Sequence, residues 1–185
     1  MADEQKKKKK KWHSILASPE FNNIKIGETL ASESEGLVGR SITLNLMVLT
    51  NDPKKQSYNV VFRVTNLKGE EGISDLRKYY MNTSHTRRLV RKGIKKVEDS
   101  FLVQTKDDVK YQVKPLVILR FKTQKSIASA IRKTAKEHLT NLFKSIDSKD
   151  VFLSVISNKI QMDLKSLLRK IYPVNVCEIR VLEKL

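Results

Sequence analysis

Cysteine, glycine and histidine are scarce in this sequence of 185 residues, and each scarcity excludes a class of protein. The single cysteine, Cys177, permits no intramolecular disulfide, so the chain is not a disulfide-stapled secreted scaffold. The six glycines form neither a GxGxxG turn nor a GxxxxGK[ST] loop, which excludes the common nucleotide-binding motifs. The three histidines are scattered and no Cys/His spacing fits zinc. We therefore expect no metal, no other cofactor and no small-molecule substrate.

Long apolar runs are also missing. No stretch approaches the roughly 20 apolar residues of a membrane span, and the first residues lack the apolar core of a signal peptide. The basic residues lie on several separate segments, without the apolar partner face of an interfacial membrane anchor. We expect a cytoplasmic protein that has no membrane partner.

Acidic residues are too few to balance the basic ones. Asp plus Glu is 20 and Lys plus Arg is 37, so the formal net charge is 37 − 20 = +17 and the isoelectric point is near 9.9. Such self-repulsion is relieved most easily by a polyanion. Aromatic residues are only 6% of the chain and most lie on expected core faces, which limits base stacking. The composition predicts a protein that binds structured RNA mainly through phosphate and shape.

Basic charge is concentrated between Ser74 and Lys96. Here a short helix capped by Thr83 or Ser84 and ending at Gly93 would project its basic side chains from neighbouring faces. Guanidinium groups bind phosphate oxygens bidentately, so this segment suits a phosphate backbone. The alternative is a merely solvated charged face, which charge runs usually are.

Two further basic groups extend the candidate interface: a lysine-rich tail at the start of the chain and one face of a later helix. Trp12 follows the tail, and it either packs against the core or stacks on RNA bases; we favour the core. The predicted RNA-binding residues are Lys6, Lys7, Lys8, Lys9, Lys10, Lys11, Arg77, Lys78, Arg87, Arg88, Arg91, Lys92, Lys95, Lys96, Arg132, Lys133 and Lys136.

Alternation of apolar and polar residues predicts two hairpins. Residues 42–48 and 58–64 form the first, while 95–105 and 109–121 form the second around a turn at 106–108. Pro115 should end or bulge the regular pairing of its strand. Four strands in two hairpins favour a curled or barrel-like antiparallel sheet, because a flat open sheet leaves costly edges.

The period then changes to that of helices. A helix is predicted over 124–144, a second begins at Asp147 or Ser148, and a third covers residues 160–171. Residues 174–182 alternate again and predict a last strand that returns to the sheet. We therefore expect an α+β fold with flanking C-terminal helices. Residues 1–11 are expected to be a disordered basic tail, and 12–185 a single RNA-binding domain.

Catalysis has little support in the sequence. The nearest paired carboxylates, Asp107 and Asp108, lie in the predicted turn at 106–108, where aspartate serves turn geometry. A metal-dependent nuclease needs carboxylates that converge in a pocket, and this remains a rival that would depend on Asp107 or Asp108. We expect that the chain is not an enzyme.

Short motifs along nearly the whole chain resemble the S3Ae family of archaeal and eukaryotic small-subunit ribosomal proteins, also called eS1. The motifs are Lys11-Trp12, Ala17 with Pro19 and Phe21, Ile26-Gly27-Glu28-Thr29, Gly39-Arg40, Leu49-Thr50-Asn51-Asp52, Phe62-Arg63-Val64, Leu89-Val90-Arg91-Lys92, Thr105-Lys106-Asp107, Val113-Lys114-Pro115, Ile131-Arg132-Lys133, and Ile171-Tyr172-Pro173-Val174 through Glu178-Ile179-Arg180. The chain is similar to the shorter archaeal form. It departs from the family at Met81-Asn82-Thr83-Ser84, where the family tends to carry Leu-Thr-Arg-Asp.

The resemblance implies a function that the residues alone do not name. It implies a non-enzymatic structural constituent of the small ribosomal subunit, bound in the cytoplasm to the ribosome on the platform near the exit of the messenger channel. Its implied partners are the 3′ region of the small-subunit RNA and neighbouring platform proteins, with messenger RNA near the exit as a further partner. An RNA chaperone or regulator acting outside the ribosome is the alternative.

Overall fold

The structure is a computed structural model that describes residues 9–21 and 23–185. The described residues form nine β-strands and five α-helices. The strands are β1 (Lys11–Leu16), β2 (Lys25–Ala31), β3 (Ser41–Asn45), β4 (Tyr58–Lys68), β5 (Glu71–Met81), β6 (Lys96–Glu98), β7 (Phe101–Gln104), β8 (Lys110–Leu119) and β9 (Val174–Lys184). The helices are α1 (Leu46–Thr50), α2 (Thr83–Leu89), α3 (Lys125–Ser145), α4 (Ser148–Ile156) and α5 (Lys159–Arg169).

The chain divides into two compact units. The first takes in the described residues up to Leu44 together with Val60–Arg77, and the second takes in Asn45–Asn59 and Lys78–Leu185. Most of β4 and the first part of β5 therefore belong to the first unit, while the last residues of β5 belong to the second.

The first unit is built around β1. This strand pairs antiparallel with β2 on one side and parallel with the start of β5 on the other, where Ile15 faces Gly72. A β-carbon on Gly72 would lie 3.1 Å from Val64 Cγ1, so a side chain there would displace its neighbour. The parallel pair makes the sheet mixed, whereas the sequence predicted antiparallel pairing only.

The second unit is built around β9, which lies between two strands. It pairs antiparallel with Lys78–Tyr80 at the end of β5 and with nearly all of β8, while β8 pairs in turn with β6 and β7. The predicted α+β class and the returning last strand are thereby confirmed. The register between β8 and β9 shifts at Lys114 and Pro115, which confirms the predicted bulge, because proline donates no ladder hydrogen bond.

The two faces of β8 carry different helices. Tyr111 packs edge to face against Phe143 of α3 and Phe152 of α4, with ring centroids 6.3 Å and 5.8 Å apart. Leu116 and Ile118 instead pack with residues that follow β5. Odd and even positions of one strand point to opposite faces. The segment around α2 and the helices α3 and α4 therefore lie on opposite faces of this sheet.

Two differences from the sequence predictions bear on the candidate site. The strand predicted over 42–48 ends at Asn45, whose side chain accepts a hydrogen bond of 2.9 Å from the backbone nitrogen of Met47 and so caps α1. The other difference is β5, which the sequence analysis did not predict. Ser74 and Leu76 are buried on one face of the strand, whereas Tyr79 and Met81 are buried on the other, so no single alternation runs along β5.

The predicted basic tail begins outside the described residues. Lys6, Lys7 and Lys8 fall there, whereas Lys9 and Lys10 are exposed and Lys11 is the first residue of β1. The assignment of residues 1–11 to a disordered tail and of 12–185 to a single domain stays a prediction.

Candidate nucleic-acid interface

The basic segment consists of a strand, a short helix and a turn. It leaves β5 at Met81, forms α2 and then turns at Gly93, whose φ of +85° suits glycine. The predicted helix boundaries need correction. The residue before the helix is Asn82 rather than Thr83 or Ser84, and the helix ends at Leu89 rather than at Gly93. The backbone of Val90 is extended, which stops the helical hydrogen bonds there.

An apolar contact fixes the basic segment to the sheet. Leu89, Val90 and Ile94 pack against the buried side chains of Leu116 and Ile118. Burying these residues leaves the polar positions of the same segment pointing outwards. The exposed cations are Arg87, Arg88, Arg91 and Lys92, with Lys95 half-buried next to them.

These five cations have no carboxylate partner within the described part of the chain. None of the ion pairs found there includes Arg87, Arg88, Arg91, Lys92 or Lys95. We call these five residues the free basic group. Their charge is uncompensated, so it is available to an external anion.

Other predicted cations are already paired. Lys78 Nζ lies 2.8 Å from Glu183 Oε2, and Lys96 Nζ lies 2.9 Å from Glu98 Oε2. Lys11 makes a looser pair of 3.8 Å with Glu70 in the first unit. Arg77 lies half-buried on β5, also in the first unit. Among the predicted RNA-binding residues, the structure therefore distinguishes free cations from cations that are paired with carboxylates.

The predicted helix surface is a separate patch. Arg132, Lys133 and Lys136 are exposed on α3, and the Lys136 ammonium lies 5.9 Å from the centre of the Phe101 ring. Because α3 and the α2 segment lie on opposite faces of the sheet, these residues do not join the free basic group in one patch.

Sequence reasoning missed two cations next to the free basic group. The backbone nitrogen of Leu119 donates a hydrogen bond of 3.1 Å to the carbonyl of Lys95, which brings the end of β8 to the start of β6. Arg120 and Lys122 follow at once and are exposed. A β-carbon on Gly93 would lie 3.9 Å from Lys122 Cε. The available signal was the predicted pairing of residues 95–105 with 109–121, which already placed these ends together.

A cluster of titratable side chains lies next to α2 and includes His85 of that helix. Tyr58 stacks on Tyr79 with ring centroids 5.5 Å apart and contacts the ring of His85 at 6.3 Å. Burial raises the pKa of the Glu178 carboxyl, although Tyr58 and Lys165 oppose the shift. Burial, and then Arg88, lower the pKa of His85. The lowered pKa favours the neutral form of this histidine.

Trp12 does not pack as predicted. Its side chain is 66% exposed, while His13 and Ile15 take the inward positions of β1. Leu30, the residue paired with Trp12 on β2, is exposed as well. The expectation that Trp12 pins the fold to its core is therefore wrong.

The carboxylates of the rival nuclease hypothesis have structural partners. Asp107 Oδ2 accepts a hydrogen bond from the backbone nitrogen of Ser148, and Asp108 Oδ1 accepts one of 2.8 Å from Gln104 Nε2. Within residues 9–21 and 23–185, no group of three or more His, Cys, Asp or Glu side chains is placed to hold a metal ion. None of the described helices is long and apolar enough to cross a membrane.

An α+β fold that anchors uncompensated cations on one sheet face has the charge distribution expected of a protein that binds a polyanion. Comparison with known families makes this assignment specific. The sequence profile of the Ribosomal S3Ae family matches residues 2–185. The chain belongs to the Ribosomal S3Ae family, which confirms the resemblance drawn from its short motifs.

Curated relatives agree with the family assignment over most of the chain. A protein of Nanoarchaeum equitans named small ribosomal subunit protein eS1 is 31% identical over 90% of this chain and 84% of that relative. Proteins with the same name from Halorubrum lacusprofundi and Methanothermobacter thermautotrophicus are 29% and 28% identical. The two matches cover 95% and 96% of this chain, and they cover 82% and 92% of the respective relatives. Membership of a ribosomal protein family confirms that the chain is not an enzyme.

Proposed function

We propose that this protein is a structural constituent of the small ribosomal subunit and binds small-subunit ribosomal RNA mainly through phosphate contacts. The observation that supports the RNA contact is the free basic group, whose five cations are anchored by Leu89, Val90 and Ile94 and have no carboxylate partner among the described residues. Each phosphate neutralised by such a cation releases counterions, which favours binding.

The anchoring matters as much as the charge. A cation on a fixed backbone loses less conformational freedom when it binds than one on a flexible chain. Four of the five are exposed side chains on or just after α2, so neighbouring phosphates of one strand lie within reach. The paired lysines, Lys78 and Lys96, contribute less because RNA must first displace their carboxylates.

The cations of α3 form a second RNA contact in this proposal. They point away from the face that carries α2, so the sheet lies between two separate segments of RNA. The lysines near the start of the chain, Lys6 to Lys11, contact a third segment of RNA in this proposal through their positive charge.

The finer location rests on family resemblance and on the relatives' names, which place those proteins in the small subunit. We propose a cytoplasmic, ribosome-bound site on the platform near the messenger exit. There the protein contacts the 3′ region of the RNA and neighbouring platform proteins, and it lies within reach of messenger RNA.

Sedimentation of a gently prepared lysate, first in low and then in high salt, tests the proposal. Stoichiometric residence in the small-subunit peak that resists the salt wash is the expected result. Recovery mainly at the top of the gradient in low salt would contradict it and would support an RNA chaperone or regulator outside the ribosome.

A further inference from the structure

We infer that Phe121 forms a stacking site for an unpaired RNA base at the edge of the free basic group. This inference rests on the proposed RNA-binding function and deepens it, because it names a nucleobase contact beside the phosphate contacts.

Phe121 is exposed although the strand before it is deeply buried. Its side chain is 56% exposed, whereas Leu116, Ile118 and Leu119 of β8 have no measurable exposure. The aromatic ring therefore leaves the core at the first turn after the strand. An exposed aromatic ring offers a flat apolar face on which a ligand can pack.

The backbone around this ring is held in place. The nitrogen of Arg120 donates a hydrogen bond of 3.1 Å to the carbonyl of Pro173, and the Tyr172 hydroxyl donates one of 3.2 Å to the carbonyl of Lys122. The residues on either side of Phe121 are thus tied to the segment that leads into β9. A stacking platform on a fixed backbone needs little ordering when its ligand arrives.

The charge around the ring is of one sign. The Arg120 guanidinium carbon lies 5.6 Å from the ring centroid, and Lys122 reaches towards Gly93 in the basic segment. Residues 119–125 contain no carboxylate, and neither do residues 86–97. The guanidinium lies over one face of the ring, and nucleobases stack both on aromatic rings and on guanidinium planes.

These features favour an unpaired nucleotide over a protein partner. An aromatic platform bordered by a cationic groove is the arrangement by which proteins hold single-stranded nucleic acid: the bases stack and the backbone follows the charge. Here the phosphates on either side of the stacked base would meet Lys122 and Lys95, since the start of β6 is hydrogen-bonded to the end of β8. Inside a duplex both faces of a base are stacked on neighbouring bases, so no face is free for the ring.

The test measures how tightly two ligands of equal charge bind to the original chain and to two variants of Phe121. The ligands are a short oligoadenylate and a ribose-phosphate chain of the same length without bases. Phe121→Leu keeps an apolar side chain but removes the aromatic face, and Phe121→Trp keeps the face. We expect Phe121→Leu to weaken oligoadenylate binding about tenfold, Phe121→Trp to restore it, and neither to change binding of the baseless chain.

A matched control separates stacking from loss of any exposed apolar group. Leu102→Ala removes an exposed apolar side chain from β7 and should leave both affinities unchanged. The inference would be overturned if Phe121→Leu bound oligoadenylate as tightly as the original chain does. It would also be overturned if this variant lost the same affinity for both ligands. Failure of the unaltered protein to bind either ligand would overturn the stacking site, whereas the proposed function would be overturned only by absence of the protein from the small-subunit peak.

A protein contact at the same place gives a different result. If Phe121→Leu binds oligoadenylate normally but leaves the small-subunit peak during sedimentation, the ring contacts a neighbouring protein and the stacking site is wrong.

Discussion

The carboxylate of Asp107 accepts a hydrogen bond of 2.9 Å from the backbone nitrogen of Ser148, 41 residues further along the chain. Ser148 is the first residue of α4, and the side chain of the preceding Asp147 makes no capping hydrogen bond. The turn between β7 and β8 thus satisfies an amide at the start of a distant helix. This bond gives Asp107 a structural role in place of the catalytic one considered from sequence.

Substitution of Asp107 should destabilise the fold in a pH-dependent way. The hydrogen bond from the Ser148 amide lowers the pKa of Asp107 below its usual value near 3.8. Its contribution to stability is therefore present above that value and is lost as pH falls through the lowered pKa. We expect Asp107→Ala to lower the Tm at pH 7 and Asp107→Asn, which keeps an acceptor oxygen, to lower it less.

Thermal unfolding followed by circular dichroism at several pH values measures this effect. Asp108→Asn is the matched control, because asparagine tolerates the φ of +59° at that position and keeps the acceptor for Gln104. A Tm for Asp107→Ala equal to that of the original chain at pH 7 would show that the bond contributes nothing.

Neutralising Glu178 should stabilise the protein at neutral pH. Burial raises the pKa of this carboxyl above its ordinary 4.5, so the folded state holds a proton that the unfolded state releases. Stability then falls as pH rises from about 4.5 to the raised pKa, by about 1.4 kcal/mol per pH unit at most. Glu178→Gln removes this dependence, and its advantage over the original chain should grow with pH across that window.

Urea unfolding at several pH values provides the measurement for Glu178. Glu183→Gln on the same strand is the control, since Glu183 is paired with Lys78 and its loss should not stabilise the fold. An unfolding free energy for Glu178→Gln that is lower than that of the original chain at pH 7 would mean that the ionised carboxylate is stabilising.

Neutralising part of the free basic group should flatten the salt dependence of RNA binding. Replacing Arg87, Arg88 and Arg91 by glutamine removes three cations without touching the apolar anchor. The slope of log Kd against log salt should fall by up to about 0.9 per lost contact for duplex RNA, and about 0.7 for single strands. Binding titrations between low and moderate salt give the slope directly.

The control for this triple variant carries the same charge change on the opposite face. Replacing Arg132, Lys133 and Lys136 by glutamine should also lower affinity for RNA segments that reach α3, but the two effects should add because the sites are separate. An unchanged slope in the Arg87, Arg88 and Arg91 variant would remove the basic segment from the interface.

Local sequence signals were sufficient for elements with a clear period. The helix predicted over 124–144 is Lys125–Ser145, and Pro115 interrupts the register as its chemistry requires. The strand predicted to continue to Val48 instead ends in a capped turn of helix, because the side chain of Asn45 competes with the strand ladder for a backbone amide. The basic helix was predicted four residues too long since Val90, an apolar residue, turns inward to the sheet and leaves the helical conformation.

The sequence by itself determined the excess of positive charge, the absence of metal-binding motifs, the family resemblance and the order of most helices and strands. These depend on composition and on neighbours a few residues apart. Only the tertiary structure decided which cations remain free, because Lys78 and Lys96 meet Glu183 and Glu98 through folding, and Arg87 and Arg88 meet no carboxylate among the described residues. The tertiary structure also decided that α3 and α2 lie on opposite faces of the sheet and that Phe121 lies beside the basic segment. The physical reason is that strand register joins residues far apart in the chain, and a local pattern carries no information about that register.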